Sequence, residues 1–272
     1  RKIHQIMDEV AKKISFGVGR SNQEDADHEL FDDTLWSFPV LAKIKDKARE
    51  QLGTVGGGNH YVDVFVDEQE RIWVGVHFGS RGLGHTVASH FIQEGERSGL
   101  APNGIVTLHE RSALGEDYIA CMRLALRYAY AGRDWVCERV AKILRANILD
   151  EVHNNHNDAQ KETHLGQELW VVRKGATPAF PGQRGFVGAS MGEPSVILEG
   201  VDSETSQQAL YSTVHGAGRT MSRTRASGRN RGGKRVSEPS VTENMMHDWV
   251  QRSNVVLRGG EVDESPHCYK RL

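Results

Sequence analysis

Cysteine is scarce. Cys121, Cys137 and Cys268 are the three in 272 residues, too few and too scattered for a disulfide framework. The fold must hold itself by packing, and the setting this implies is a reducing cytoplasm. Long apolar runs are absent as well: none approaches the roughly 20 residues of a membrane span, and no secretory signal opens the chain. Charge of one sign is also missing. Thirty-four Lys and Arg against 36 Asp and Glu leave a net charge of −2, which excludes a polycation. Any contact with nucleic acid must come from a local patch. There is no internal repeat and no clear linker, and the first residue is Arg1 rather than Met, so the chain reads as a piece of a longer protein.

What is present suits a soluble globular chain, with 38% hydrophobic and 26% charged residues. Its length fits one large domain or two small ones. Ile3, Ile6, Met7, Val10 and Ile14 fall at helical spacing. Residues 21–36 read as an acidic loop, and 38–51 and 84–95 as helices. Segment 115–149 is the strongest helical signal, with a break expected at Gly132. "YVDVFVD" and "RIWVGVH" read as paired strands, and "ELWVVRKG" and "SVILEGV" as two more. The histidine-rich stretch 149–164 reads as polar loop. Residues 176–195 form a Gly/Pro loop too long for a plain connection. Residues 209–214 start a short strand or helix, 242–252 a weak helix, and 254–258 a strand. Helices and strands mix without regular alternation, so the predicted class is α+β, mixed sheets with flanking helices.

The hairpin carries chemistry at its open end. A turn centred between Glu68 and Gln69 pairs residues whose numbers sum to 137, setting His60 opposite His77. Cross-strand Cβ atoms lie about 4.5–5.5 Å apart, close enough for two imidazoles to share a metal or serve two adjacent ones. A histidine at a strand end often does no more than bond a loop. The flanks "GGGNH" and "HFGSRGLG" favour a ligand instead, because glycine lets backbone N–H groups approach an anion, and Arg81 adds a phosphate-matching fork.

Further along, "HNNHND" supplies His153 and His156, a weak metal signal alone. "HGAGR" sets His215 in a glycine frame before Arg219. Either the exposed imidazole is a nucleophile toward phosphorus, or it caps a helix start. "RTMSRTRASGRNRGGKR", from Arg219 to Arg235, holds seven basic residues in 17, either a solvated loop or a track for a nucleic-acid backbone. Asp134 and Cys137 sit in the helical stretch and read as helix residues, with Cys121 and Cys137 as small buried hydrophobes.

Together, "GTVGGGNHYVDV", "HFGSRGLG", "HNDAQKETHLG", "RKGATPAFPGQRGFVGASMG" and "HGAGRTMSR" resemble, in order and spacing, the RtcB family of RNA-splicing ligases. The resemblance covers roughly residues 14–270. It implies an RtcB-like single catalytic domain over residues 1–272. It also implies a cytoplasmic, monomeric enzyme that uses GTP and two Mn²⁺ to join RNA 2′,3′-cyclic phosphate or 3′-phosphate ends to 5′-hydroxyl ends, in some relatives with a helper protein. By resemblance, His215 is the guanylylated nucleophile and His60, His77 and His156 are metal ligands. Asn59 lies near the GTP phosphates, and Arg81 and Arg219 bind phosphate. Ser190, Met191 and Ser195 surround the guanosine, Gly216 and Gly218 bind the nucleotide beside the nucleophile, and Tyr269 contacts guanine. Asp63 stands where the family commonly has Glu. The family's upstream Asp-x-x-Cys pair and its C-terminal lysine fall outside this sequence, as expected of a chain lacking N- and C-terminal portions of its parent. Two other readings stand beside it: a metal-dependent phosphohydrolase or cyclic-phosphate esterase on the same scaffold, using His60 and His77 without a guanylylated histidine, and a non-catalytic RNA-binding fragment using the basic segment 219–235.

Overall fold

The computed structural model describes residues 2–24, 26–231 and 234–272. It divides into two compact units: Glu9–Asn147, and Ile148–Leu272 together with the N-terminal residues up to Asp8. Both contain helices and strands, so the fold class is α+β. The five strand pairs among the described residues are all two-stranded and antiparallel; parallel pairing is confined to isolated bridges.

The unit Glu9–Asn147 is built on two helices, Arg81–Arg97 and Ala113–Leu144. The second starts at Ser112, whose hydroxyl accepts from the Gly115 N–H, and closes on Arg145 in the left-handed region. Leu83, Val87 and Phe91 from one helix and Leu124 and Tyr128 from the other pack with Phe31, Trp36, Leu41 and Leu52. The Tyr128 hydroxyl is satisfied by the Ala48 carbonyl at 2.8 Å. The long helix does not break at Gly132. That glycine serves packing: a Cβ there would stand 3.2 Å from the Phe78 ring and 3.4 Å from the Gly53 nitrogen. The expected helix 38–51 is two pieces, Pro39–Ala42 and Lys45–Gln51, parted at Ile44 (φ −112°). The acidic stretch 21–36 contains short 3₁₀ turns at Glu29–Asp32 and Thr34–Ser37, each capped by a side chain, His28 and Asp33.

The second unit is a set of hairpins. The largest, Asn157–His164 with Gln167–Lys174, lies partly where a polar loop was expected. Its signal is the two-residue turn Leu165-Gly166, both residues left-handed (φ 51° and 75°). The supposed loop 176–195 likewise holds strands Ala176–Pro178 and Arg184–Val187, paired with Ser212–Val214 and Val196–Glu199. Helix Glu243–Arg252 forms as expected, capped by Thr242. Residues 254–258 are not a strand: Asn254 turns left-handed (φ 53°), and the segment finds no strand partner among the described residues.

Candidate active site

The hairpin Tyr61–Val66 with Ile72–His77 forms, but one residue out of the expected register. Its partners sum to 138, so Tyr61, not His60, faces His77. The cause is the turn. Glu70 donates its N–H to the Asp67 carbonyl and sits at φ 61°, an extra left-handed residue that adds one position to the loop. The Asp67 carboxylate fixes this turn by accepting from the Gln69 and Arg71 N–H groups and the Trp73 indole. His60 then lies just before the strand rather than within it. Its ring centroid is nonetheless 6.1 Å from that of His77, which stacks on Tyr61 at 5.5 Å. Burial pushes the Asp63 carboxyl up to about 6, and burial, with Asp63 nearby, raises the Tyr61 phenol.

The loop before His60 is pinned on two sides. The Val55 and Gly17 N–H groups donate to the Ser15 and Gly56 carbonyls at 2.9 and 2.7 Å. Arg81 turns its guanidinium into the loop, donating through Nε to Thr54 at 3.0 Å and reaching the Val55 carbonyl at 3.4 Å. Gly56 (φ +92°) makes this possible, since a Cβ there would collide with Arg81 Nη1 and His60 Nδ1. Arg81 is half-buried, and burial lowers its pKa from the ordinary guanidinium value. Asn59 is exposed on the same loop.

In the other unit His156 and His215 form a second pair, with ring centroids 4.6 Å apart. One residue, Gly175, joins them. The Gly175 N–H donates to the His156 carbonyl at 3.0 Å, and the Gly175 carbonyl accepts from His215 Nδ1 at 2.8 Å. Gly175 was not among the expected site residues. Its sequence signal is the glycine that ends "WVVRKG", and here it leaves the strand at φ +76°. Asn154 braces the same region by bonding Thr177 and both backbone groups of Phe186.

Residues 215–220 run between two other segments. Gly216 bridges Gly188, the Ala217 N–H donates to the Gly188 carbonyl, and Ser195 Oγ accepts from Ala189. Ser190 is buried and bonds Glu193 at 2.8 Å, and Met191 follows it. On the other side Arg219 bridges Tyr269, and Lys270 donates to the Gly218 carbonyl. Thus Ser190, Met191, Ser195, Gly216, Gly218, Arg219 and Tyr269 gather around the His215 segment. Arg219 is heavily engaged. Its nitrogens donate to Met221 O, Tyr269 Oη and Asp263 O at 3.0, 2.9 and 2.7 Å, and it lies 4.8 Å above the Tyr269 ring. Tyr269 in turn bonds the buried Glu264 carboxylate; burial and that carboxylate raise its phenol pKa, so it is neutral at pH 7. Cys268 is buried with Ala226 and Val241, and burial raises its thiol pKa.

The basic tract is only partly free. Arg223 pairs with Asp263 and Glu264, and Arg235 with Glu238. Arg225 and Arg229 are exposed; Gly232 and Gly233 lie outside the described residues. Asp134 and Cys137 are in the long helix, Cys121 is buried and Cys137 half-buried.

Comparison with known proteins agrees with these motifs. The family model described as tRNA-splicing ligase RtcB matches residues 1–272. The chain belongs to the RtcB family. It is 34% identical over 194 residues to the RNA-splicing ligase RtcB of Escherichia coli K12, covering 65% of this chain and 47% of that protein. It is 31% identical over 281 residues to the tRNA-splicing ligase RtcB of Archaeoglobus fulgidus, covering 85% of this chain and 56% of that protein. The corresponding protein of Nanoarchaeum equitans is 29% identical over 324 residues, covering 100% of this chain and 66% of that protein. The chain thus spans about half the length of the first of these RtcB relatives.

Proposed function

We propose that this RtcB-family protein is a GTP- and manganese-dependent RNA ligase acting through a guanylylated His215. The observation that carries this reading is the hydrogen bond between His215 Nδ1 and the Gly175 carbonyl. A carbonyl can only accept, so Nδ1 holds the proton and the neutral ring keeps its lone pair on Nε2. That is the atom for attack on the α-phosphorus of GTP. The P–N bond forms, the α–β P–O bond breaks, and its electron pair leaves on pyrophosphate. GMP then passes to the RNA 3′-phosphate, and the 5′-hydroxyl displaces it. The relatives' names, RNA-splicing and tRNA-splicing ligase, support an RNA substrate.

The gathered residues suit the parts. Gly216 and Gly218 keep side chains clear of the nucleophile. Ser190, Met191 and Ser195 line the guanosine side, and neutral Tyr269 offers its ring to the base. Arg219, bonded to the protein through every nitrogen, serves phosphate as a fixed positive charge. Arg81 and Asn59 serve the triphosphate from the loop before His60. The residues fit a divalent metal too: imidazole is a suitable donor, and the bare Cα of Gly56 leaves His60 and Arg81 room to sit together. His60 and His77 would hold metal, as would His156 beside the nucleophile. Bound manganese would neutralise charge on the phosphate oxygens. A cytoplasmic, monomeric enzyme, in some settings aided by a helper protein, belongs to the same reading; no described helix is long and apolar enough to cross a membrane.

The test is covalent labelling with α-phosphate-labelled GTP and manganese. Label on the wild type and none on His215→Ala is the expected result. A wild type that takes no label, or a labelled His215→Ala, overturns the reading. Hydrolysis of a cyclic phosphate that survives His215→Ala would favour the phosphohydrolase.

A further inference from the structure

Beneath the His215 strand lies a buried ionic cluster that the proposed chemistry does not use. Arg173, Glu162 and His164 are almost fully buried, with side-chain exposures of 2%, 7% and 2%. The Glu162 carboxylate takes both ends of the guanidinium, at 2.5 and 2.9 Å, and a third hydrogen bond from His164 Nε2 at 2.7 Å. Burial pushes the Glu162 pKa up, but these partners outweigh it and the net shift is downward. His164 stacks on Phe180 and leans on Tyr211.

Arg173 has further N–H groups to donate. Nε donates to Ser212 Oγ at 2.9 Å, and Nη2 also reaches the Leu210 carbonyl at 2.9 Å. Leu210 and Tyr211 are consecutive non-glycine residues at φ 49° and 48°, a conformation the chain adopts only when something holds it. Directly after them comes Ser212–Val214, a strand of only three residues that ends at His215. The strand of Arg173 ends at Lys174, and the next residue is Gly175, the acceptor for His215 Nδ1. A single side chain therefore ties the strand that leads into the nucleophile to the strand that leads into its hydrogen-bond acceptor. An apolar filler could hold these layers together as well. Only a forked cation fixes a hydroxyl and a carbonyl at set angles.

We infer that Arg173, locked by Glu162 and His164, is a positioning residue that aims His215 Nε2 by holding the strained Leu210-Tyr211 turn. This rests on the reading of His215 as nucleophile. The test uses the full protein labelled with ¹⁵N-histidine, and the variants Ser212→Ala and Arg173→Lys. Long-range ¹H–¹⁵N spectra report the His215 tautomer, circular dichroism and thermal melting report the fold, and GTP labelling reports rate. In wild type Nδ1 is protonated. In Ser212→Ala the fold persists, the His215 nitrogen shifts move toward tautomer exchange, and the labelling rate at saturating GTP falls about tenfold with unchanged half-saturation. Arg173→Lys shows the same split, more strongly. A folded Ser212→Ala with wild-type His215 shifts and rate overturns the inference, whatever becomes of Arg173→Lys. If wild type takes no label, the nucleophile reading fails by itself, and the ¹⁵N shifts still decide the positioning.

Discussion

His60 and His77 meet at the mouth of a hairpin, whereas His156 and His215 meet across a single residue, Gly175. The first pair is held from outside, by a glycine loop into which Arg81 folds and by a turn that Asp67 fixes through exposed hydrogen bonds. The second follows a strand start, Leu210 and Ser212, that a buried ion cluster holds. A pair held by a loop tolerates a shifted register, because the loop re-aims the ring; the His60–His77 pair closes although the register is one residue from the expected one. A pair held by buried charge tolerates little, because each member leaves another unpaired when it goes.

The sharpest break in this comparison is Glu162→Gln. It leaves the Arg173 guanidinium buried without its anion, and removing one partner of such a pair costs about 3–5 kcal/mol. Urea unfolding should show that loss; a change under about 1 kcal/mol would put both histidine pairs in the same class. Gly56→Ala is the hairpin unit's nearest equivalent. It demands a left-handed alanine and drives a Cβ into Arg81 and His60, for a loss of about 3 kcal/mol in the same assay. Manganese binding, followed by calorimetry, should weaken with it.

Acid separates the two regions by sign. The Glu162 pKa is lowered in the folded protein, so its stabilisation is fully present above the unfolded value of about 4.3 and is lost as pH falls through the folded value. The Asp63 pKa is raised, to about 6, by burial. Between about pH 3.9 and that value the folded state binds more protons than the unfolded one, so stability falls as pH rises across the window. Asp63→Asn should remove that slope and raise stability at pH 7 by on the order of 2 kcal/mol. Unfolding midpoints at pH 4, 5, 6 and 7, taken with chelator present, check it; an unchanged slope in the variant would show that Asp63 is not its source.

Much of the hairpin unit was legible because its signals are local. Alternating apolar residues marked both strands, and helical spacing marked Arg81–Arg97 and Ala113–Leu144. The errors were ones of context: Gly132 read as a break, although the Phe78 ring supplies its reason. The His215 region was legible only as motifs. "NDAQKETH" is too polar to announce a strand, and two of its polar side chains are buried because Glu162 meets an arginine eleven residues away in the next strand and His164 bonds Glu162. Nothing in the spacing of "RKG" says that its glycine carbonyl will hold a histidine that lies forty residues later.

The smallest expected effect bears on why the register slipped. Glu70 occupies the left-handed position of the turn, where a non-glycine residue carries a strain of about 1–2 kcal/mol. Glycine would relieve it but would lose more freedom on folding. Glu70→Gly should therefore stabilise the hairpin unit by less than about 1 kcal/mol, with the Tyr61–His77 pairing intact. Cross-strand contacts between Tyr61 and His77 by nuclear Overhauser measurement, read beside the melting temperature, check both parts. Stabilisation with unchanged pairing would show that loop geometry sets this register and the strand residues only follow it. A shift to His60 opposite His77 would show that the strands by themselves prefer the 137 register and that the Glu70 side chain, not the loop length, holds them out of it.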